Sequence, residues 1–275
     1  MNVQHTTATK HFPTLAYKRY GTGPAIMLIH GFPASGSLWS EVIAYLAQFL
    51  TVLVPDVPGT GESRLAGDAV TMEELATIVP AIFDDAGIAE GVVAGHSMGG
   101  YIALAAADLF RNRFTGLTLV HSTALADDDE KKEKRRKSIE LIRKGGREQF
   151  IRGMIPGLFS EQFKNGHPEI IQERIEEGLK LPPESLIAFY NAMIDRPERL
   201  EVLRSAHFPI QWILGREDTT IPWQPCLQQS SLPVVSFVRL YDECGHMGML
   251  EQKELLQKDL LMFVEYCLQR VTEVR

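Results

Sequence analysis

Short apolar runs alternate with stretches of helical spacing along most of this chain, and the two periodicities predict its elements. Leu15-Ala16-Tyr17-Lys18-Arg19-Tyr20 alternates apolar and polar residues and meets Gly21-Thr22-Gly23-Pro24. That pattern predicts a half-exposed edge strand ending in a turn. Ala25 to Ile29 is apolar throughout, as is most of Leu50 to Asp56. Such runs, bounded by turn signals, fit strands buried on both faces, as in a parallel sheet. Between them, positions 37–48 carry Trp39, Val42, Ile43 and Leu46 as one apolar helical stripe. Positions 71–86 predict an amphipathic helix opened by the capping box Thr71-Met72-Glu73-Glu74. A strand over 89–95, a helix over 98–109 and a strand over 117–120 follow. This alternation predicts an α/β fold: a mostly parallel central sheet with helices on both faces.

Beyond position 121 the pattern changes. Residues 127–137 are densely charged, acids first and bases last, the order a helix dipole favours. The run reads as a solvated surface helix; its interleaved acids nearly cancel the bases, which argues against a nucleic-acid patch. Positions 149–203 are helical in spacing, without a clear strand, and are punctuated by Pro156, Pro168, Pro182, Pro183 and Pro197. Strand patterns return at Ile210–Leu214 and Val234–Leu240, and an amphipathic helix spans 255–270. The expected organisation is therefore a core of residues 1–121 and 205–275, with an inserted all-helical cap over 122–204 whose apolar side covers the site.

Bulk properties narrow the partners. The chain has 275 residues, 45% hydrophobic and 23% charged, ordinary for a globular protein. A net charge of −7 offers no basic face for nucleic acid or an anionic membrane. No apolar run approaches a membrane span. The stretch Met1 to His11 is polar and lacks the apolar core of a signal peptide, so a cytoplasmic location is expected. Cys226, Cys244 and Cys267 are few, odd in number and not in metal spacing; they read as incidental reduced thiols. Neither a metal nor an organic cofactor is called for. Oligomeric state is not legible.

The chemistry concentrates at Gly95-His96-Ser97-Met98-Gly99-Gly100, between the strand over 89–95 and the helix over 98–109. A strand reversing sharply into a helix strains the backbone at Ser97, needs small residues around it, and raises the hydroxyl above the sheet edge. The Met98 N–H then points at whatever Ser97 attacks. The loop His30-Gly31-Phe32-Pro33 follows another buried strand and offers the Phe32 N–H as a second oxyanion donor. A serine also needs a base near neutral pKa and an acid to orient it. Ser97, Asp218 and His246 each follow a strand, and functional groups gather at the C-terminal strand ends of parallel sheets. Glu217 and Asp242 compete with Asp218 for the acid role. His30, His121 and Met247 are pocket candidates; His30 also reads as a loop-shaping group, His121 as structural, and His96 as a neighbour within the turn. Asp56 reads as a carboxylate holding loop N–H groups. Gly59-Thr60-Gly61 lacks the third glycine of a dinucleotide loop.

These motifs together resemble the α/β-hydrolase fold superfamily, in its serine-nucleophile, esterase-like form with a helical cap. The resemblance rests on His30-Gly31-Phe32, Asp56-Val57-Pro58-Gly59-Thr60-Gly61-Glu62-Ser63, Gly95-His96-Ser97-Met98-Gly99-Gly100, Gly215-Arg216-Glu217-Asp218 and Gly245-His246, in that order. It implies Ser97 as nucleophile, His246 as general base and acid, and Asp218 as the orienting acid. Family members that open epoxides or carbon–halogen bonds carry Asp where Ser97 stands, so neither activity is expected. The implied function is hydrolysis of a carboxylic ester or related acyl bond of a small, largely apolar substrate. Carbon–carbon bond hydrolysis, lactonase, thioesterase or perhydrolase chemistry, and a slow-turnover small-molecule receptor, are the alternatives the motifs leave open.

Overall fold

The computed structural model describes residues 3–65, 67 and 69–274, of which 271–274 by backbone alone. Met1 and Asn2 of the polar N-terminal stretch lie outside the described residues. The chain opens with β1 (Val3–Thr7), β2 (Leu15–Tyr20) and β3 (Ala25–Ile29), then a 3₁₀ turn (Gly36–Trp39) and α1 (Ser40–Leu46). It continues with β4 (Thr51–Pro55), α2 (Met72–Ala76), α3 (Ile78–Asp85), β5 (Gly91–His96), α4 (Met98–Leu109) and β6 (Phe114–Val120). Among the described residues the strands form one sheet in the order β1-β2-β4-β3-β5-β6-β7-β8, where β7 is Ile210–Gly215 and β8 is Ser236–Tyr241. β1 and β2 run antiparallel to their neighbours; from β4 to β8 every pairing is parallel.

The apolar runs become the buried strands for the expected reason. β3, β5, β6 and β7 are covered on both faces, so neither side of the pleat tolerates a charge. Trp39, Val42, Ile43 and Leu46 are all buried. α1 packs on α13 (Lys253–Val274), and α2 packs on α4.

Two details differ from the sequence pattern. β2 is not the sheet edge. β1 pairs with its outer side from Val3↔Arg19 to Thr7↔Leu15, and Leu15, Ala16 and Tyr17 are buried. β1 itself is polar (Val-Gln-His-Thr-Thr) and mostly exposed, so no apolar period announced it. The helix over 71–86 is two helices. Its capping box forms as expected, Thr71 and Glu74 bonding each other's backbone N–H. The break falls at Thr77, where Pro80 has no N–H to give the Ala76 carbonyl and its ring crowds that turn.

Between β6 and β7 the chain is helical: α5 (Asp129–Arg143), α6 (Arg147–Met154), a 3₁₀ turn (Ile155–Leu158), α7 (Glu161–Gly166), α8 (Pro168–Gly178), α9 (Pro183–Asp195) and α10 (Leu200–Ser205). α10 packs on α4, astride the boundary expected near 204. After β7 come α11 (Trp223–Gln229) and, between β8 and α13, α12 (Gly248–Glu251). The chain leaves β3 toward β4 on one side and returns to β5 on the other. The C-terminal ends of β3 and β5 therefore flank the crevice where an open α/β sheet holds its ligands.

Candidate active site

Ser97 lies between β5 and α4 with φ 50° and ψ −116°. A non-glycine residue there is strained, at a cost on the order of 1–3 kcal/mol, so the surroundings must impose it. They do. The Ser97 N–H donates to the Val120 carbonyl at 2.9 Å, and the Ser97 carbonyl accepts from the Ser122 hydroxyl at 2.8 Å. The flanking glycines are forced by close approach: a Cβ on Gly95 would lie 2.3 Å from the Gly99 carbonyl oxygen, and one on Gly99 2.3 Å from that of Ile29. Met98 opens α4, where the first N–H groups have no intrahelical acceptor.

Three side chains from three strand ends meet behind Ser97. His246 Nδ1 donates to Asp218 Oδ2 at 2.7 Å, and His121 Nδ1 donates to the same oxygen at 3.2 Å. The other oxygen, Oδ1, accepts from the Thr220 and Ile221 N–H groups at 2.9 and 2.8 Å. Burial alone would push the Asp218 carboxyl up. The His246 imidazole and the His121 hydrogen bond outweigh it and hold the group well below the usual carboxylate range, so it is ionised. With Nδ1 committed to Asp218, His246 has Nε2 left for the cavity that it shares with Ser97.

The other histidines sort by environment. His96 is pressed well below its ordinary value, first by burial and then by the neighbouring His246 and His121 imidazoles. It is neutral, and its Nε2–H donates to the His246 carbonyl at 2.9 Å. His30 is lowered by burial. Its Nδ1–H donates to the Gly31 carbonyl at 3.0 Å, and its Nε2 accepts the Val57 N–H at 3.0 Å. His30 thus shapes the loop after β3. Both it and His121, pocket candidates of the sequence, are fully buried and are not among the residues that line the cavity over Ser97. Burial is the reason: His30 spends both ring nitrogens on internal partners, and His121 spends its Nδ1 on Asp218. Met247 borders a separate, much smaller void beside Phe32 and His96.

Of the competing acids, Asp242 is exposed and pairs with Arg216, and Glu217 is exposed; neither meets His246. Asp56 holds loop N–H groups as expected, accepting from Gly36 at 3.3 Å and Glu62 at 3.1 Å. A residue without any sequence signal positions the histidine loop. Glu251 accepts from the Gly245 and Met247 N–H groups at 2.9 Å each, and from Ser160 N–H at 2.9 Å. The His246 N–H itself donates to the Leu158 carbonyl at 2.7 Å. The three cysteines are free and buried; burial pushes the Cys226 and Cys267 thiols up to about 12.

The cavity over Ser97 and His246 has a volume of about 190 Å³. Phe32, Met154, Leu158 and Met193 supply its apolar wall, and Tyr101 and Tyr190 its phenols. The Phe32 ring lies 4.7 Å from that of Tyr190, tying the loop after β3 to α9. Lys131, Lys134 and Arg135 of α5 also line the cavity. The charged run is therefore not a wholly solvated face. Lys131, Arg135 and Ser138, at i, i+4 and i+7, turn inward with Ile139 and Ile142. That spacing was the available signal, hidden by charges all around the helix.

His121, Asp218 and His246 bring one ligating atom each within 4.8 Å of one another, the spacing a metal site would have. Both Nδ1 atoms already donate to the carboxylate, which accounts for the cluster by hydrogen bonding alone.

Sheet order, strained turn and clustered side chains together define a class, the hydrolases built on an open α/β sheet. A family model described as alpha/beta hydrolase fold matches residues 24–253, and the chain belongs to that family. Its relatives include proteins named as esterases. It is similar to a thermophilic esterase from Thermogutta terrifontis, solved with malate bound. The identity is 29% over 97% of this chain and 99% of that one, with a TM-score of 0.89. It is 24% identical to the pimeloyl-[acyl-carrier protein] methyl ester esterase of Pseudoalteromonas atlantica over 90% of this chain and 97% of the relative. It is 27% identical to the dihydrolipoyllysine-residue acetyltransferase component of the acetoin cleaving system of Pseudomonas putida, over 88% of this chain. There it spans only 64% of the relative's length. Among the described residues no helix is long and apolar enough to cross a membrane.

Proposed function

We propose that the protein hydrolyses carboxylic ester bonds of small molecules through an acyl-enzyme, with Ser97 as nucleophile. The observation that carries this reading is the strained Ser97 sharing one cavity with His246, whose Nδ1 lies 2.7 Å from Asp218. His246 Nε2 takes the Ser97 proton as Oγ attacks the ester carbonyl. The N–H groups of Phe32 and Met98 receive the oxyanion; losing one such donor typically costs about 10²–10³ in rate. His246 returns the proton to the leaving alcohol, water attacks the acyl-Ser97 with His246 again as base, and the carboxylic acid departs. Asp218 holds the imidazole in the Nδ1–H tautomer and stabilises it when charged. Residues 122–204 act as a cap over the core formed by 1–121 and 205–275, setting cavity size and excluding water. The resemblance to proteins named as esterases supports the ester over other acyl bonds.

Labelling with a fluorophosphonate, read by intact mass and peptide mapping, tests the reading. One adduct on Ser97 is expected, with turnover of short-chain methyl and p-nitrophenyl esters that Ser97→Ala abolishes. A folded protein that neither labels at Ser97 nor hydrolyses any of these esters defeats it.

A further inference from the structure

Resting on the ester-hydrolase reading, the geometry points to a substrate that carries a carboxylate: we infer that the α5 wall is an anion subsite and that the favoured substrates are short esters bearing a free carboxylate. A largely apolar substrate would want an apolar wall, and this cavity has one only on the side of Phe32, Met154, Leu158 and Met193. Lys131, Lys134 and Arg135 line the same cavity, and no Asp or Glu is among its lining residues.

The cations are not fully spent on internal partners. Arg135 is largely buried, its side chain 12% exposed, and its Nε donates to Asp127 at 2.6 Å. Its guanidinium also lies 5.1 Å from the Tyr190 ring centroid, which fixes the plane. Lys131 gives one of its three donors to the Thr220 carbonyl at 3.0 Å and sits 3.8 Å from Asp127. Asp127 is a single carboxylate that Arg196 also engages, at 3.0 Å. Lys134, at the outer rim, pairs with Glu130. Lys131, Arg135 and Arg196 thus share the one buried carboxylate of Asp127. Asp128, Asp129 and Glu130 are exposed at the outer end of α5, where water and salt screen them.

A surplus of positive charge in a half-desolvated wall attracts an anion, and a planar guanidinium with an ammonium beside it suits a carboxylate. The apolar side then holds the carbon chain. Burial pushes the Tyr190 phenol up to about 12, so it stays neutral and does not repel the anion. At about 190 Å³ the cavity suits a few-carbon chain and not a long acyl tail.

The experiment compares methanol release from monomethyl succinate and monomethyl glutarate with that from methyl butyrate and methyl valerate, as kcat/KM at low and high salt. The wild type is expected to favour the charged esters by about tenfold, chiefly through KM, with the advantage shrinking in salt. Lys131→Gln and Arg135→Gln should each cut that preference by about threefold or more. Arg135→Gln leaves Asp127 short of a partner and folds less well, so Lys131→Gln is the deciding variant. A wild-type preference below threefold, or one that Lys131→Gln leaves intact, overturns the inference while hydrolysis of methyl butyrate leaves the Ser97 mechanism standing. Failure to hydrolyse any of the four esters, with Ser97 unlabelled, overturns both.

Discussion

At Asp218 a single oxygen accepts from two imidazoles, and the sharing has a kinetic consequence. His121 takes φ 47°, a left-handed conformation, to bring its Nδ1 to the carboxylate. Its Nε2 is buried without a partner, and a Cβ on Gly248 would lie 2.4 Å from it. Nothing in its position reaches Ser97, so on the proposed roles His121 is a positioning residue that holds the Asp218 rotamer. His121→Ala is expected to lower kcat by about tenfold with KM little changed, the usual effect of losing an outer-shell partner. His121→Asn should recover most of that rate, since Asn accepts the left-handed backbone and can donate to the same oxygen. Stopped assays at saturating ester check this. An alanine variant with wild-type kcat, or an equal loss in both variants, sinks the idea.

At the scale of elements, α5 and the end of α9 are held to the core by one buried carboxylate. Asp127 bonds Arg135 at 2.6 Å and Arg196 at 3.0 Å, and Arg196 also donates to the Met193 and Leu125 carbonyls and stacks on the Tyr101 ring. Burial raises the Asp127 carboxyl, but the two guanidinium groups more than reverse this and keep it ionised. Asp127→Asn would leave Arg196, whose side chain is only 3% exposed, as an uncompensated charge. Such breakage costs about 3–5 kcal/mol. Urea denaturation should show a loss of about 3 kcal/mol or more; a loss under about 1 kcal/mol would mean that water compensates the arginines. The broken helix at Thr77 belongs to the same scale. The apolar period ran through Pro80 undisturbed, because periodicity reports which face is buried and not whether a turn can close its hydrogen bonds.

For the molecule as a whole, the buried neutral histidines predict how acid acts on it. His30 and His96 both have folded values below the ordinary histidine value. As pH falls below about 6.5 the unfolded chain takes up these protons and the folded chain does not. The unfolded state then binds more protons, so stability drops with falling pH, by up to about 1.4 kcal/mol per pH unit for each histidine. Protonated His30 would also turn a donor toward the Val57 N–H it now accepts. Tm should fall steadily between pH 7 and 5, and a flat Tm over that range contradicts the assignment. Much of this architecture was legible from the linear pattern. Buried parallel strands need uninterrupted apolar runs, and the Ser97 turn needs Gly95 and Gly99, because each demand leaves its mark on residue type within one short stretch, whatever distant group imposes it. The same holds for placing Ser97, Asp218 and His246 at strand ends. Only the tertiary structure decided that polar β1 covers β2, that His121 joins Asp218, that Glu251 braces the histidine loop, and that α5 turns Lys131 and Arg135 toward the cavity. Those outcomes depend on which distant surfaces desolvate each other, and a charge or a polar strand carries no mark of its partner until the chain has folded around it.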